Sequence, residues 1–460
     1  MSAAQLAAHR PEALLPGAAS PLMRARERMR QTAQWHPGQQ MGRRWAVGCV
    51  ALEITQRCNL DCTLCYLSES SEALKDIPLA EVFRRIDMIA AHYGPNTDVQ
   101  ITGGDPTLRR RDELLAIVKR VSDKGMRPAL FTNGILASRE LLAALAGVGL
   151  VDVAFHVDMT QQRMGFSSEE ELNALRLEYI ERARGLPLAV IFNTTVFDGN
   201  IHAIDALAGF FVAHSDVVRF ASFQLQAETG RGVLFARGAE ISIASVAARL
   251  SRGAGAPLNF DAFGTGHSQC NRYALGLIAG GRMHDLLAEP HFVQRISDEL
   301  VAVQFDRARP LRTLAGILGW ALSRPRVLLS GLGWLTRLAW RMKTDLVRGR
   351  GQVHKLSFFI HNFMDACHLE HDRVEACAFM VASGDGPVSM CVHNAKRDSY
   401  LLKPIAFGSG ESLRFWNPLS GEFEGAIPEF VGVTHSRKTA RGRAKRAPDK
   451  ERSVAQAVSA

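Results

Sequence analysis

Between residues 46 and 226 the chain alternates six times between short β-rich apolar runs and helical stretches, and such alternation requires a parallel sheet with helical cover. The strand-like runs are 46–55 (AVGCVALEIT), 98–102, 126–132, 151–157, 186–196 and 216–226. Between them, 79–93 carries apolar residues at helical spacing, a second helical run ends at Gly125, and a third opens with Ser138 as an N-cap. Two more helical stretches precede the fifth and sixth strands. Six βα units in about 180 residues fit a partial (β/α)6, TIM-like barrel of the α/β class better than a closed eight-stranded one. In such folds the chemistry gathers at the carboxyl ends of the strands. With 460 residues, 47% of them hydrophobic and 22% charged, the chain is neither disordered throughout nor a small disulfide scaffold.

Three of the eight cysteines fall within eight residues directly after the first strand, as Cys58-x3-Cys62-x2-Cys65. Three thiolates on one loop can hold three irons of a [4Fe-4S] cube and leave the fourth iron open. A structural zinc site would need a fourth nearby ligand, and the next histidine, His92, sits on a predicted helix. A disulfide would leave an odd cysteine over. Cys49, inside the first strand, reads as core.

This spacing on this loop resembles the radical S-adenosylmethionine (SAM) enzymes. A second match follows strand two, where Thr102-Gly103-Gly104-Asp105-Pro106-Thr107 stands in the place of that family's Gly-Gly-Glu-Pro motif. The resemblance implies a catalytic cluster on Cys58, Cys62 and Cys65, and a SAM methionine amino group held by Gly103, Gly104 and Asp105. Asp105 replaces the usual glutamate, keeping the charge with one methylene less reach. Tyr66 follows the third cysteine. Asn133, His156, Asp158, Thr194, Thr195 and Gln224 lie at later strand ends. A structural hydrogen bond is the ordinary role for each of these six separately. As a set they are expected to line the SAM and substrate cavity, with Tyr66, Asn133, Asp158 and Gln224 among the cofactor-binding residues. The implied chemistry is reductive cleavage of SAM to a 5'-deoxyadenosyl radical that takes hydrogen from an unactivated carbon, with flavodoxin or ferredoxin as electron donor. An iron-sulfur electron carrier or sensor is the weaker reading, because Gly103, Gly104 and Asp105 would then have no role.

Four cysteines remain, Cys270, Cys367, Cys377 and Cys391, enough for a second [4Fe-4S] cluster in a carboxyl-terminal auxiliary domain. Cys367 is the expected fourth ligand and His267 its substitute, with His361, His368, His371 and His393 as further alternates. The competing reading makes one or two of the thiols ordinary buried cysteines. FQLQAETGRG, FFIHNFMDA, DRVEAC and PVSMCVHN resemble the radical SAM branch that holds archaeal tetraether lipid synthases and pterin-methylase-like proteins. The 57 residues before Cys58, with Cys49 as their sole cysteine, leave no expectation of a third cluster or of an amino-terminal cobalamin domain.

The net charge of +9 is uneven. Residues 307–350 hold ten Lys/Arg against Asp345, and 437–452 hold eight against two acids, so the rest of the chain is mildly acidic. The tail lacks apolar periodicity and is expected to be disordered, either solubilising or drawn to anionic surfaces. In 307–350, arginines and three of the six tryptophans interrupt apolar runs too short to span a bilayer. Two readings stay open: amphipathic helices in the headgroup layer, or helices packed on the main domain with snorkelling arginines. Pro325 and the Gly331/Gly333 pair are expected to break the segment. His9, Arg10, Pro11 and Glu12 interrupt any signal-peptide core, which points to the cytoplasm, with a peripheral place at the inner membrane face.

The expected organisation is an arm (1–45), the barrel (46–260), a linker carrying Cys270 (261–306), the basic amphipathic insertion (307–350), the auxiliary-cluster region (351–434) and the tail (435–460). The expected function is radical modification or coupling of C–H carbons in a lipid-like substrate. The alternative is a pterin-like heterocycle or a peptide. No nucleic-acid partner is expected.

Overall fold

Period-two alternation along the first strands separates an outward face of branched and aromatic residues from an inward face of small and polar ones. In the computed structural model, which describes residues 1–428 except 16, 239, 301–302 and 304–309, that alternation wraps a sheet around a lumen. In chain order the first elements are α1 (Ala3–Ala8), α2 (Pro21–Gln31), β1 (Cys49–Thr55), α3 (Leu79–Tyr93), β2 (Asp98–Gly103), α4 (Arg111–Asp123) and β3 (Arg127–Thr132). Then come α5 (Arg139–Gly147), β4 (Asp152–His156), α6 (Asn173–Ala183), β5 (Ala189–Val196), α7 (Ile204–Ala213), β6 (Val218–Leu225) and α8 (Ile243–Gly253). All six expected strands form, within three residues of their expected ends, and each pairs in parallel with the next.

The helices cover the outward faces, where Val50, Leu52, Ile54, Val99 and Ile101 are fully buried. A run of neighbouring rings, Tyr179, Phe155, Phe192, Phe211, Phe223 and Phe358, crosses this layer with centroids 4.9–6.3 Å apart. Each buried ring contributes about 1.5–3 kcal/mol of apolar transfer.

The remaining elements are β7 (Asn271–Ala279), β8 (Arg282–Asp285), α9 (Pro290–Glu299), α10 (Pro310–Leu322), α11 (Pro325–Arg348), β9 (Val353–His361), α12 (His371–Glu375) and β10 (Phe379–Ser383). The described chain ends with β11 (Gly386–Ser389), α13 (Met390–Ala395), α14 (Arg397–Leu401) and a small sheet of β12 (Ile405–Phe407), β13 (Arg414–Trp416) and β14 (Phe423–Glu424).

These elements differ from the expected organisation in four ways. First, β9 pairs in parallel with β6, and β10 in parallel with β1, so residues 351–383 supply two barrel staves rather than a separate domain. The physical reason is that an uncovered six-stranded sheet leaves two unpaired edges. Across the gap between β9 and β10, Phe379 packs edge-on against His361 at 4.6 Å and Phe359 at 6.0 Å. Second, the expected linker at 261–306 folds into the β7–β8 hairpin, antiparallel to β9, followed by α9.

Third, α11 runs unbroken through Gly331 and Gly333. A helical glycine costs only about 1 kcal/mol, whereas Pro325 does start a new helix, at the one position where proline is tolerated. Only Trp340 of that segment's tryptophans is exposed; Trp334 stacks on Phe292 of α9 at 5.6 Å. Fourth, the arm at 1–45 is packed on the body: Met29 is fully buried, and the Glu12 N–H donates to the Pro387 carbonyl at 2.7 Å. The tail at 435–460 lies outside the described residues.

Candidate functional site

The cysteine loop (56–67) leaves the carboxyl end of β1 and rests on the turn that ends β2. The Gly104 N–H donates to the Thr55 carbonyl at 2.9 Å, and the Asp105 N–H to the Arg57 carbonyl at 2.8 Å. Gly103 has φ +127°, and a Cβ there would sit 2.0 Å from the Thr55 oxygen. A Cβ on Gly104 would sit 2.0 Å from the Arg57 oxygen. Only two glycines let the turn approach this closely. Tyr66 closes the arrangement from the other side, its hydroxyl donating to the Gly103 carbonyl at 2.6 Å.

Cys58, Cys62 and Cys65 line one cavity with Gly103 and Gly104. Burial pushes all three thiols up, Cys58 to about 11; Arg231 opposes this at Cys58 and Cys65. Such thiols ionise only when a metal takes the place of the proton. Among the described residues no three side chains close on a single metal ion. A four-iron cube spreads its ligands wider, because each thiolate binds a different iron, and three thiolates on one loop fit it.

Two guanidiniums that sequence reasoning missed flank the loop. Arg231 donates its backbone N–H to the Cys65 carbonyl at 2.9 Å, while its side chain meets Glu72 at 2.8 Å and Asp61 at 3.4 Å. Arg397 of α14 lies 4.9 Å over the Tyr66 ring and pairs with Glu53 at 2.6 Å inside the protein. Arg231 stands within a stretch that carried the family resemblance. The signal for the other pair was Glu53, a lone carboxylate inside an apolar strand.

Asn133 lines the cavity, where its Nδ2 donates to Asn59 Oδ1 at 2.6 Å and lies 3.9 Å from Cys58 Sγ. His156, Thr195 and Gln224 also line the cavity, whereas the Thr194 hydroxyl is buried without a partner. Asp105 does not reach the lumen. Its carboxylate accepts from the Thr107 N–H and hydroxyl, the Thr132 hydroxyl and the Asn133 N–H at 2.5–3.0 Å. A side chain this short is taken up by the turn residue two positions on and by the neighbouring strand. Its geometry is that of a brace between β2 and β3 beneath the site.

Asp158 is likewise fully buried and absent from the cavity wall. It accepts from the Thr160 N–H, the Thr160 hydroxyl, the Thr195 N–H and His156 Nε2 at 2.5–2.9 Å. It therefore orients His156, which does face the cavity.

The cavity, about 1060 Å³, runs the length of the barrel. Branched side chains ordinarily fill such a lumen. Here Ala51, Ala129, Ala154 and Ser222 leave its waist open beside Phe220 and Phe359. Glu53, Thr102, Thr195, Gln224 and His361 ring the carboxyl end. Asp98, Arg127, Asp152, Arg219 and Lys355 ring the amino end, where Arg127 bridges Asp98 at 3.1 Å and Asp152 at 3.7 Å. Burial holds His361 down at about 3, so its ring is neutral.

Of the later cysteines, the structure groups three. The Cys377 thiol lies near enough to bear on those of Cys270 and Cys391; burial pushes Cys270 up to about 11, and Arg373 Nε stands 3.4 Å from its sulfur. Cys367 is exposed, and His267 is engaged by Asp372 at 3.1 Å.

The model of the radical SAM superfamily matches residues 52–210, the span that holds the cysteine loop and the Gly103–Gly104 turn. Residues 52–210 are a radical SAM domain. Similar curated proteins include PqqA peptide cyclase of Bradyrhizobium diazoefficiens, 30% identical over 34% of this chain and 40% of the relative. Another is 7,8-dihydro-6-hydroxymethylpterin dimethyltransferase of Methanocaldococcus jannaschii, 26% identical over 39% of this chain and 36% of the relative. The chain thus spans well under half the length of these relatives. Streptococcus suis SuiB bound to its precursor peptide SuiA aligns over 48% of each chain at 15% identity, with a TM-score of 0.32, too low to argue from.

Asp158 carries a pH prediction. Burial raises its pKa, but the His156 charge and the hydrogen bonds from His156, Thr160 and Thr195 outweigh burial and hold the carboxyl below the ordinary carboxylate range. The folded value lies below the ~3.9 of an unfolded chain, so the stabilisation is present above about pH 4 and is lost as pH falls further. Asp158→Asn is expected to lower stability at pH 7 by roughly 1.5–3 kcal/mol and to flatten the acid limb of a urea-midpoint profile. An acid limb as steep as the parent's would remove Asp158 from this role.

Proposed function

We propose that this chain is an enzyme that cleaves SAM reductively at the carboxyl mouth of its barrel and modifies or couples unactivated carbons of a long apolar substrate. The observation that carries the reading is the cysteine loop hydrogen-bonded onto the Gly103–Gly104 turn above an open lumen. When bound, a [4Fe-4S] cluster supplies the electron that splits SAM into methionine and a 5'-deoxyadenosyl radical able to abstract hydrogen from a C–H bond. Cys58, Cys62 and Cys65 hold that cluster. Backbone groups at Gly103 and Gly104 receive the methionine end of SAM, and Tyr66 fixes the turn that presents them. Asp105 acts from below by holding β2 and β3 in register, and Asn133 and Gln224 orient the remainder of SAM from the wall. The barrel wall keeps water and stray hydrogen donors from the radical.

The open waist supports a long substrate, as does the branch resemblance to tetraether lipid synthases. The amphipathic helices α10 and α11 support a peripheral place on the inner membrane face. No described helix is long and apolar enough to cross a membrane. A second reading, a pterin-like heterocycle or a peptide, is favoured by the relatives' names, a pterin dimethyltransferase and a peptide cyclase. A flavodoxin or ferredoxin would supply the electron in either case.

Anaerobically reconstituted protein given SAM and dithionite is expected to form 5'-deoxyadenosine, measured by chromatography. The Cys58→Ala/Cys62→Ala/Cys65→Ala variant is expected to form none. Cleavage surviving in that variant would overturn the assignment.

We further propose that Cys270, Cys377 and Cys391 hold a second [4Fe-4S] cluster, with Cys367 reaching in as fourth ligand or leaving that position to another group. Iron analysis is expected to give about eight irons per chain, falling to about four when Cys270, Cys377 and Cys391 are replaced together. About four irons in the unmodified protein would make these thiols structural.

A further inference from the structure

The amphipathic helices and the lumen meet at α10. α11 is anchored by its second half: Leu338, Met342 and Asp345 are buried, the first two beside Ala279 of β7. Arg337 pairs with Glu289 at 2.6 Å, and Asp345 is taken up by His284 and Arg348. Leu329 and Trp340 fall on the side of α11 away from that stripe and are 68% and 69% exposed. On α10, Leu311, Leu314, Leu318 and Leu322 form a single stripe that is 55–80% exposed. A contiguous leucine face of this kind in water marks an interaction surface.

The charge on the same two helices says what covers it. Residues 310–348 carry seven Lys/Arg and one acid, the buried Asp345. Lys343 lies 3.5 Å over the exposed Trp340 ring, and Arg324 lies 5.1 Å over Trp320. Apolar side chains fringed by arginines and an indole match the boundary between acyl chains and anionic headgroups.

Thr313, within one turn of Leu311 and Leu314, lines the cavity together with Gln40, Trp45 and Lys355 at the amino ends of the strands. The leucine face and the amino-terminal opening of the lumen therefore lie on the same helix. Strands of six residues rise about 20 Å, so a chain entering there reaches the cysteine loop only by running the whole alanine-walled waist.

We propose that α10 and α11 seat the protein on an anionic phospholipid surface through their leucine face, with the amino-terminal mouth of the barrel turned to that surface as the entrance for an apolar chain. This entrance rests on the apolar-substrate reading above. Its failure would leave SAM cleavage standing and favour the heterocycle or peptide alternative.

The test is hydrogen–deuterium exchange of the reconstituted full chain with and without vesicles of phosphatidylcholine and phosphatidylglycerol, alongside co-sedimentation. Vesicles are expected to slow exchange in peptides covering 311–335 and 40–48, and to leave 133–137 and 159–166, at the opposite mouth, unchanged. Leu314→Glu/Leu318→Glu, both exposed in the folded chain, is expected to reduce the bound fraction about tenfold or more while 5'-deoxyadenosine formation without vesicles stays unchanged. Salt is expected to weaken binding as the Debye length shortens from about 10 Å at 0.1 M to about 3 Å at 1 M.

Protection at 133–137 and 159–166 instead, or confined to α10 and α11 without 40–48, would overturn the orientation. No vesicle-dependent protection anywhere would overturn the docking. So would a dimer in sedimentation velocity that the double variant dissolves while vesicle binding is absent, since the face would then join two copies of this chain.

Discussion

Everything at the carboxyl end of this barrel depends on two backbone hydrogen bonds that join the start of the cysteine loop to the Gly103–Gly104 turn ending β2. Gly104 and Asp105 donate to Thr55 and Arg57. The contact is close enough that either glycine's Cβ would collide with a carbonyl oxygen. It ties the cysteine loop after β1 to the end of β2, so that Cys58, Cys62, Cys65, Gly103 and Gly104 line one space. The rest of the site reinforces that tie. Tyr66 bonds the Gly103 carbonyl from above, Asp105 gathers Thr107, Thr132 and Asn133 from below, and the buried Glu53–Arg397 pair sits behind the Tyr66 ring. A buried pair of this kind adds little net stability, but breaking it leaves a stranded charge, and that penalty keeps α14 in place beside the loop.

The second constraint is the empty waist. Alanines at 51, 129 and 154 give up packing that branched residues would supply, while the outer layer is packed by a run of rings from Tyr179 to Phe358. The lumen changes character along its length, from a ring of charge at the amino end through small and aromatic residues to a polar rim at the thiols.

The six βα units were legible because strongly periodic segments fix their own structure, and the site motifs were legible because their chemistry demands particular residues at fixed spacing. The role of Asp105 was not legible. Charge alone suggested an ammonium partner, and only the positions of Thr107 and Thr132 show the carboxylate committed elsewhere. The staves β9 and β10 were equally hidden, since nothing local in VHKLSFFIH or FMVAS says that these runs pair with the two edges of a sheet completed more than a hundred residues earlier. Long-range pairing is a property of the uncovered edge and not of the strand that covers it. Arg231 and Arg397 were missed for a related reason: each acts on the cysteine loop from far along the chain.

The central claim is that three thiols and two glycines present a cluster and SAM to a lumen open along its whole length. The direct measurement is the crystal structure of the anaerobically reconstituted protein with SAM, located by iron anomalous scattering. The account predicts a cluster on Cys58, Cys62 and Cys65, the methionine end of SAM against Gly103 and Gly104, and the adenosyl carbon facing the waist between Ala51 and Ala154. SAM bound away from the Gly103–Gly104 turn, or a waist closed by side chains in the loaded protein, would contradict it.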